Sequence, residues 1–176
     1  MRIIAGRWGG RPIRGPRGRG IRPTADRVRE AWMSALQDAL PGAVVLDVFA
    51  GSGALGLEAL SRGARQVTFV EKSPASLDIL RANIQALRAT DAARVVRANA
   101  IDFVRGLSAG AYDLALADPP YDRGLAGRLA EAFLESPFAA ELWIEHSRRE
   151  AMPTTPDVRT RRYGDTLLTT LTRDHA

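Results

Sequence analysis

From residue 43 onward, short apolar runs alternate with stretches whose apolar residues fall at helical spacing. Strand-like runs cover 43–49, 66–71, 93–97, 112–117 and 141–145, and helical stretches cover 53–62, 74–88, 100–107 and 124–134. Regular alternation with short links predicts an α/β fold: a mostly parallel sheet with helices on both faces. Upstream, Val28, Ala31, Trp32, Ala35, Leu36, Ala39 and Leu40 form one apolar stripe that ends before Pro41, with Thr24 as its N-cap. Downstream, 158–163 and 166–172 meet at Gly164-Asp165 and predict an antiparallel strand pair at the sheet edge, which brings the sheet to seven strands. At the front, Arg2 to Gly6 and Arg11 to Arg14 flank a turn near Gly9-Gly10 and read as a small β-hairpin. The stretch Gly15 to Gly20 is rich in Gly, Pro and Arg and is expected to be mobile without a partner. The expected division is a basic extension over 1–23 and an α/β domain over 24–176.

Charge changes this picture at one end of the chain. Residues 1–30 hold nine arginines against Asp26 and Glu30, a net of +7, while the whole chain is +5. The remaining residues therefore sum to −2. Codon bias explains why Lys72 is the sole lysine, but it does not explain clustering of the arginines. A basic cluster points to phosphate contacts, and Arg7, Arg11, Arg14, Arg17, Arg19, Arg22 and Arg27 are the candidates.

Composition removes several classes. With 176 residues the chain can bury a full core as one domain. It has no cysteine, hence no disulfide, thiolate metal site or cysteine nucleophile, and His146 and His175 are too few and too far apart to argue for a metal. No apolar run approaches the ~20 residues of a membrane span, and residues 1–23 lack a signal-peptide core, so the cytoplasm is the expected compartment.

The candidate chemistry sits where strands end. Val44 to Gly56 reads as strand, glycine turn and helix start, with Gly51, Gly53 and Gly56 spelling G-x-G-x-x-G. Such a turn lets a ligand approach the backbone. A nicotinamide or flavin enzyme is a serious rival here. Asp47 argues against it: a carboxylate four residues before Gly51 repels a pyrophosphate but suits the ammonium of a methionine moiety. Phe49 and Ser52 complete this segment. Glu71 ends the next strand and suits the hydroxyls of an adenosine ribose, which supports an adenosine cofactor without choosing between the two. Asn99 and Ala100 follow the third strand, where Asn99 either meets an adenine or caps the helix behind it.

Asp118-Pro119-Pro120-Tyr121 follows the fourth strand. The two prolines fix φ and remove two N–H donors, so the backbone there offers carbonyl acceptors. A carboxylate, rigid carbonyls and an aromatic ring suit a planar ring with an exocyclic amine. The plain alternative is a turn with a strand-end Asp and a packed Tyr.

These segments resemble a known family. Asp118 to Tyr121 is similar to the amine-methylation motif of S-adenosylmethionine-dependent methyltransferases, and D-x-F-A-G-S-G over Asp47 to Gly53 is similar to the first motif of the class I enzymes. Together with Arg2 to Gly6, Arg22-Pro23-Thr24-Ala25-Asp26-Arg27-Val28-Arg29-Glu30 and Phe49 to Gly63, they resemble the bacterial 16S ribosomal RNA guanine-N2 methyltransferases along nearly the full chain. The resemblance implies a Rossmann-like class I methyltransferase fold and S-adenosylmethionine as cofactor. It implies a target-base site at Asp118, Pro119, Pro120 and Tyr121, and a cofactor site at Asp47, Phe49, Gly51, Ser52, Gly53, Glu71, Asn99 and Ala100. Arg22, Thr24 and Arg27 would lie near the substrate entrance. The implied partner is 16S ribosomal RNA within an assembling small subunit, met by a monomer with neither metal nor membrane. The rivals are a DNA or RNA adenine-N6 methyltransferase and a non-catalytic RNA-binding assembly factor.

Overall fold

Five parallel strands form the centre of the molecule: β1 (Val44–Val48), β2 (Gln66–Glu71), β3 (Ala93–Arg97), β4 (Tyr112–Ala117) and β5 (Ala139–Ser147). β6 (Val158–Tyr163) and β7 (Thr166–Thr172) complete a seven-stranded sheet in the order β3-β2-β1-β4-β5-β7-β6, with β7 antiparallel to both neighbours. The computed structural model describes residues 1–16 and 23–173, with the side chains of Pro23 and Thr24 excepted. Arg17, Arg19, Arg22 and the Thr24 side chain therefore lie outside the described residues, as does His175.

The helices begin where local chemistry allows. α1 (Pro23–Ala35) starts one residue ahead of the expected Thr24 cap, because proline suits the first helical position. α2 (Ala54–Ser61) follows left-handed Gly53, and α5 (Leu125–Glu135) follows left-handed Gly124. α3 (Pro74–Ala86) is capped by Ser73, whose Oγ accepts from the Ser76 N–H. α4 (Ala100–Arg105) is capped by Asn99. Among the described residues no helix is long and apolar enough to cross a membrane.

Strand alternation gives the sheet two packed faces. Val45, Val67, Phe69, Leu116, Trp143 and Leu168 pack with Trp32, Met33, Leu36 and Leu40 on one side. Leu46, Val48, Val70, Ala117, Ile144 and Leu171 pack with α4 and α5 on the other. Of the stripe expected on α1, Val28, Trp32, Leu36 and Leu40 are buried, whereas Ala35 and Ala39 are exposed and Met33 takes their place.

Residues 1–14 pair as a hairpin through an Arg2–Pro12 bridge and bonds from the Ile3 N–H to the Arg11 carbonyl and from the Gly10 N–H to the Ile3 carbonyl. A single 3-10 turn at Gly6–Trp8 interrupts it. The segment is tied down closely. Ile3, Trp8 and Ile13 are buried in the same cluster as the sheet. The buried Glu58 carboxylate accepts from the Ile4 and Ala5 N–H groups at 2.9 and 3.0 Å. Ser61 Oγ accepts from the Trp8 N–H and donates to the Ala5 carbonyl.

Candidate active site

In parallel pairing all carboxyl ends of the strands share one rim, and here that rim gathers the predicted residues. Val48 at the end of β1 pairs with Val70 on one side and Ala117 on the other. The glycine turn after β1 therefore lies between Glu71 and Asp118. This turn is tight: Phe49, Gly51 and Gly53 all have positive φ, at 61°, 56° and 86°. The three fingerprint glycines differ in use. A side chain on Gly51 would meet open space, whereas one on Gly53 would strike Leu80, and one on Gly56 would strike Phe69 and the Asp47 carboxylate. Gly51 leaves the turn accessible from outside, and the other two let α2 settle on the sheet.

Two amides of this segment, those of Gly51 and Gly56, are claimed by carboxylates. Asp47, 1% exposed, accepts the Gly56 N–H at 3.0 Å. Glu71 Oε2 accepts the Gly51 N–H at 2.8 Å, while its Oε1 accepts from Lys72 and Ser73 at 2.8 and 2.9 Å. A pyrophosphate would meet both of these carboxylates behind the turn. The turn therefore disfavours a dinucleotide. Burial pushes the Asp47 carboxyl up to about 7, against the pull of the Gly56 N–H, and the nearby Glu71 charge raises it further. A cation beside the turn would offset both the cost of a buried Asp47 charge and its repulsion from Glu71. Glu71 uses three of the roughly four acceptor positions a carboxylate has, which leaves about one for a ligand hydroxyl.

Asp118 to Tyr121 leaves the rim next to this turn. Pro119 is buried, Asp118 and Pro120 are exposed, and Tyr121 is 40% exposed. Although its ring is open, its hydroxyl is held at both lone-pair and proton. It donates to Glu145 Oε1 at 2.8 Å, and Thr166 Oγ1 lies at 3.2 Å. A carboxylate accepts, so the single phenol proton goes to Glu145 and the Thr166 hydroxyl donates to the phenol oxygen. Burial pushes the Tyr121 phenol well above its usual range; the Thr166 bond opposes this, and the charges of Glu145 and Asp118 add to it. Burial also raises Glu145, against the Tyr121 bond. The next residue, Asp122, takes a positive φ of 58° and accepts from Ser147 Oγ at 2.8 Å. The loop is thus pinned to β5 at two points.

Glu145, Thr166 and Ser147 had not been singled out from the sequence. β5 runs from Ala139 to Ser147, longer than the expected 141–145, and its last residues pass the end of β4. Glu145 stands near the end of an apolar strand, as Asp47 and Glu71 do. Glu71, Asp47 and Glu145 share strand parity with Phe69, Val45 and Trp143, so they belong to the same sheet face. With Asp118, four successive strands each bring a carboxylate to this rim.

The remaining predicted residues fall into place unevenly. Asn99 Oδ1 accepts the Asp102 N–H at 3.2 Å, the helix-cap geometry, and Ala100 is buried behind it. The Ser52 carbonyl accepts from Asn83 Nδ2, which also bonds the Arg14 carbonyl, so the basic segment reaches the glycine turn. Arg7 stacks on the Trp8 ring at 4.6 Å, and Arg11 Nη2 donates to the Ala86 carbonyl at 2.5 Å. Arg14 and Arg27 are exposed, Arg27 on a cleft of about 460 Å³ shared with Arg2, Asp26 and Glu30. Among the described residues no group of three or more His, Asp or Glu is placed to hold a metal ion.

Residues 1–172 match the family described as Conserved hypothetical protein 95. Ribosomal RNA small subunit methyltransferase D of Escherichia coli K12 is 38% identical over 159 residues, 89% of this chain and 79% of that protein. The protein of the same name from Haemophilus influenzae is 37% identical over 138 residues, 77% of this chain and 72% of that protein. The solved yhhF protein of Escherichia coli superposes with a TM-score of 0.85 at 35% identity, covering 100% of this chain and 99% of that one. The fold also matches the SAH-bound Podospora anserina methyltransferase PaMTH1, at a TM-score of 0.65 and 14% identity over 87% of this chain and 83% of that one. The architecture is that of the class I S-adenosylmethionine-dependent methyltransferases.

Proposed function

The chain belongs to the Conserved hypothetical protein 95 family, and from that premise we propose that it transfers a methyl group from S-adenosylmethionine to the exocyclic N2 amine of a guanine in 16S ribosomal RNA. Relatives named as small-subunit ribosomal RNA methyltransferases support the RNA class. The observation that carries the reading is Tyr121, whose ring is open while its hydroxyl is fixed beside Asp118, next to the glycine turn. An open aromatic ring on a surface costs hydration and is stabilising when a base stacks on it.

The cofactor is a cation at sulfur and at its amine, and it supplies an electrophilic methyl group when bound. The row of carboxylates from Glu71 to Glu145 suits those charges. In this reading Asp47 and Glu71 hold it through the turn, Gly51 and Ser52 line it, and Phe49, Gly53, Asn99 and Ala100 shape its pocket. The residual acceptor capacity of Glu71 fits one ribose hydroxyl.

A guanine amine is a weak nucleophile because its lone pair is delocalised into the ring. Asp118 and the Pro119 carbonyl would accept its hydrogens and turn the lone pair toward the methyl group. They also stabilise the positive charge that grows on nitrogen. Little further is asked of the protein beyond positioning, since the methylated nitrogen loses its proton readily to Asp118 or to water. Tyr121 would hold the base once it leaves its stack. The working environment is an assembling small subunit in the cytoplasm, with the protein acting as a monomer.

Incubation with methyl-labelled S-adenosylmethionine and small-subunit particles tests this. Label should appear in 16S ribosomal RNA as N2-methylguanosine. Label in adenosine, in DNA or in protein would overturn the substrate assignment, and no label would favour a non-catalytic RNA-binding role.

A further inference from the structure

The strand at the sheet's edge carries a charge pattern that the site does not account for. β6 reads Val158-Arg159-Thr160-Arg161-Arg162-Tyr163: three arginines and no acid in six residues. Averaged over residues 31–176 this is invisible, because the balance there is negative. Alternation divides the strand between the two faces of the sheet. Arg159, Arg161 and Tyr163 pair with Thr170, Leu168 and Thr166. Leu168 is buried in the cluster that holds Trp143, and Tyr163 packs against the same cluster. This is the face on which Glu145 and Tyr121 meet. Thr160 turns the other way, bonded to Thr169, and Arg162 Nε donates to the Gly164 carbonyl at 2.8 Å.

The site-face stripe begins at the candidate base site. Thr166 bonds the Tyr121 hydroxyl and pairs with Tyr163, and Arg161 and Arg159 follow at steps of about 6.7 Å down the strand. Both guanidinium groups are exposed, and neither takes part in an ion pair or hydrogen bond among the described residues. β6 is the last strand of the sheet, so among the described residues no further strand pairs along its outer edge. Two unneutralised cations of fixed spacing, leading away from an open aromatic ring, complement a polyanion that enters the site as a chain.

We propose that the site face of β6, through Arg159 and Arg161, is a phosphate-contacting track for the RNA strand that flanks the target base. The inference rests on the RNA reading above and adds a contact surface at the β6 end of the sheet, away from residues 1–14, which pack against α2 and α3. Edge protection against strand-to-strand association also favours arginine on an outer strand. That role would be served equally by either face, whereas a track uses the site face alone.

The test compares three full-length variants for binding to a 16S ribosomal RNA transcript over a range of salt. Arg159→Gln with Arg161→Gln should lower the log–log salt slope by about 1.4 if the contacted strand is single and about 1.8 if it is duplex. The double change to lysine should restore the slope, and Arg162→Gln should leave it at the parent value. Should the double glutamine variant aggregate, the single changes serve, each lowering the slope by about 0.7–0.9. An unchanged slope in the glutamine variants, or an equal fall in Arg162→Gln, overturns the track. If the parent methylates 16S RNA while these slopes do not move, this inference alone fails. If the parent methylates nothing, the function fails and the salt slopes still judge the surface.

Discussion

Asp47 is the residue whose environment makes the sharpest demand. Its carboxyl is fully buried and raised from 3.8 to about 7, so between those values the folded chain holds a proton that the unfolded chain has released. By linkage its contribution is fully present below pH 4 and is lost as pH climbs toward 7, at up to about 1.4 kcal/mol per pH unit. Asp47→Asn keeps an acceptor for the Gly56 N–H and removes the titration. Urea unfolding without cofactor should find the variant near parent stability at pH 4.5 and clearly more stable at pH 8. Equal stabilities at pH 8 would mean that Asp47 is ionised without cost. Asp118 poses a chemical demand instead. Asp118→Ala should lower kcat by about 100–1,000-fold while S-adenosylmethionine binding by calorimetry stays near parent. A large loss of cofactor affinity would move Asp118 from amine positioning to cofactor holding. At Tyr121, ring and hydroxyl separate: Tyr121→Ala should weaken base binding by about 1–3 kcal/mol, while Tyr121→Phe keeps most of it. If the two raise KM for RNA equally, anchoring by Glu145 matters more than stacking.

At the scale of elements, residues 1–14 do more than carry charge. Their amides end on a carboxylate that α2 buries, and Glu58 also receives Arg62 Nε at 3.0 Å. Glu58→Ala would leave those donors without an acceptor and should cost about 3–5 kcal/mol in urea unfolding. A loss below 1 kcal/mol would show that the segment is only loosely attached. Truncation of this end would thus remove Ile3, Trp8 and Ile13 from the core together with the arginines, so substitution of exposed arginines is the cleaner probe of RNA contact. The central elements were legible in the sequence because their apolar runs alternate cleanly. The helix and strand limits differ from expectation by a few residues at ends where caps compete. At its far end β5 extends past the expected 141–145, a limit drawn there because His146 and Ser147 are polar and break the apolar pattern. Yet His146 is buried: Nδ1–H donates to the Ser147 carbonyl and Nε2 accepts from the Thr169 hydroxyl, so it sits neutral in the sheet. Periodicity sees a polar residue; pairing across strands makes it an interior one.

On the scale of the whole molecule, function depends on a topological fact. Parallel pairing of β2, β1, β4 and β5 carries Glu71, the glycine turn, Asp118 and Glu145 to a common rim, although Gly51 and Glu145 stand far apart in the sequence. Local motifs marked Asp47, Glu71 and Asp118: Glu71 and Asp118 stand at the ends of apolar runs, and Asp47 interrupts one four residues before Gly51. The anchoring of Tyr121 by Glu145 and Thr166 was not legible, because it joins a loop to an antiparallel pair whose register no local pattern specifies. Nor was it legible which face of β6 meets the site, since that needs the pairing of β7 with β5. In the proposed function this rim brings a methyl donor to a guanine amine of small-subunit RNA. The most direct test is mass spectrometry of nucleosides from 16S ribosomal RNA of a strain lacking the protein, before and after the purified chain and S-adenosylmethionine are added to its small-subunit particles. N2-methylguanosine should be deficient by one residue per 16S molecule and be restored by the parent but not by Asp118→Ala. Full N2-methylguanosine in the deletion strain, or restoration by Asp118→Ala, would contradict the proposed function.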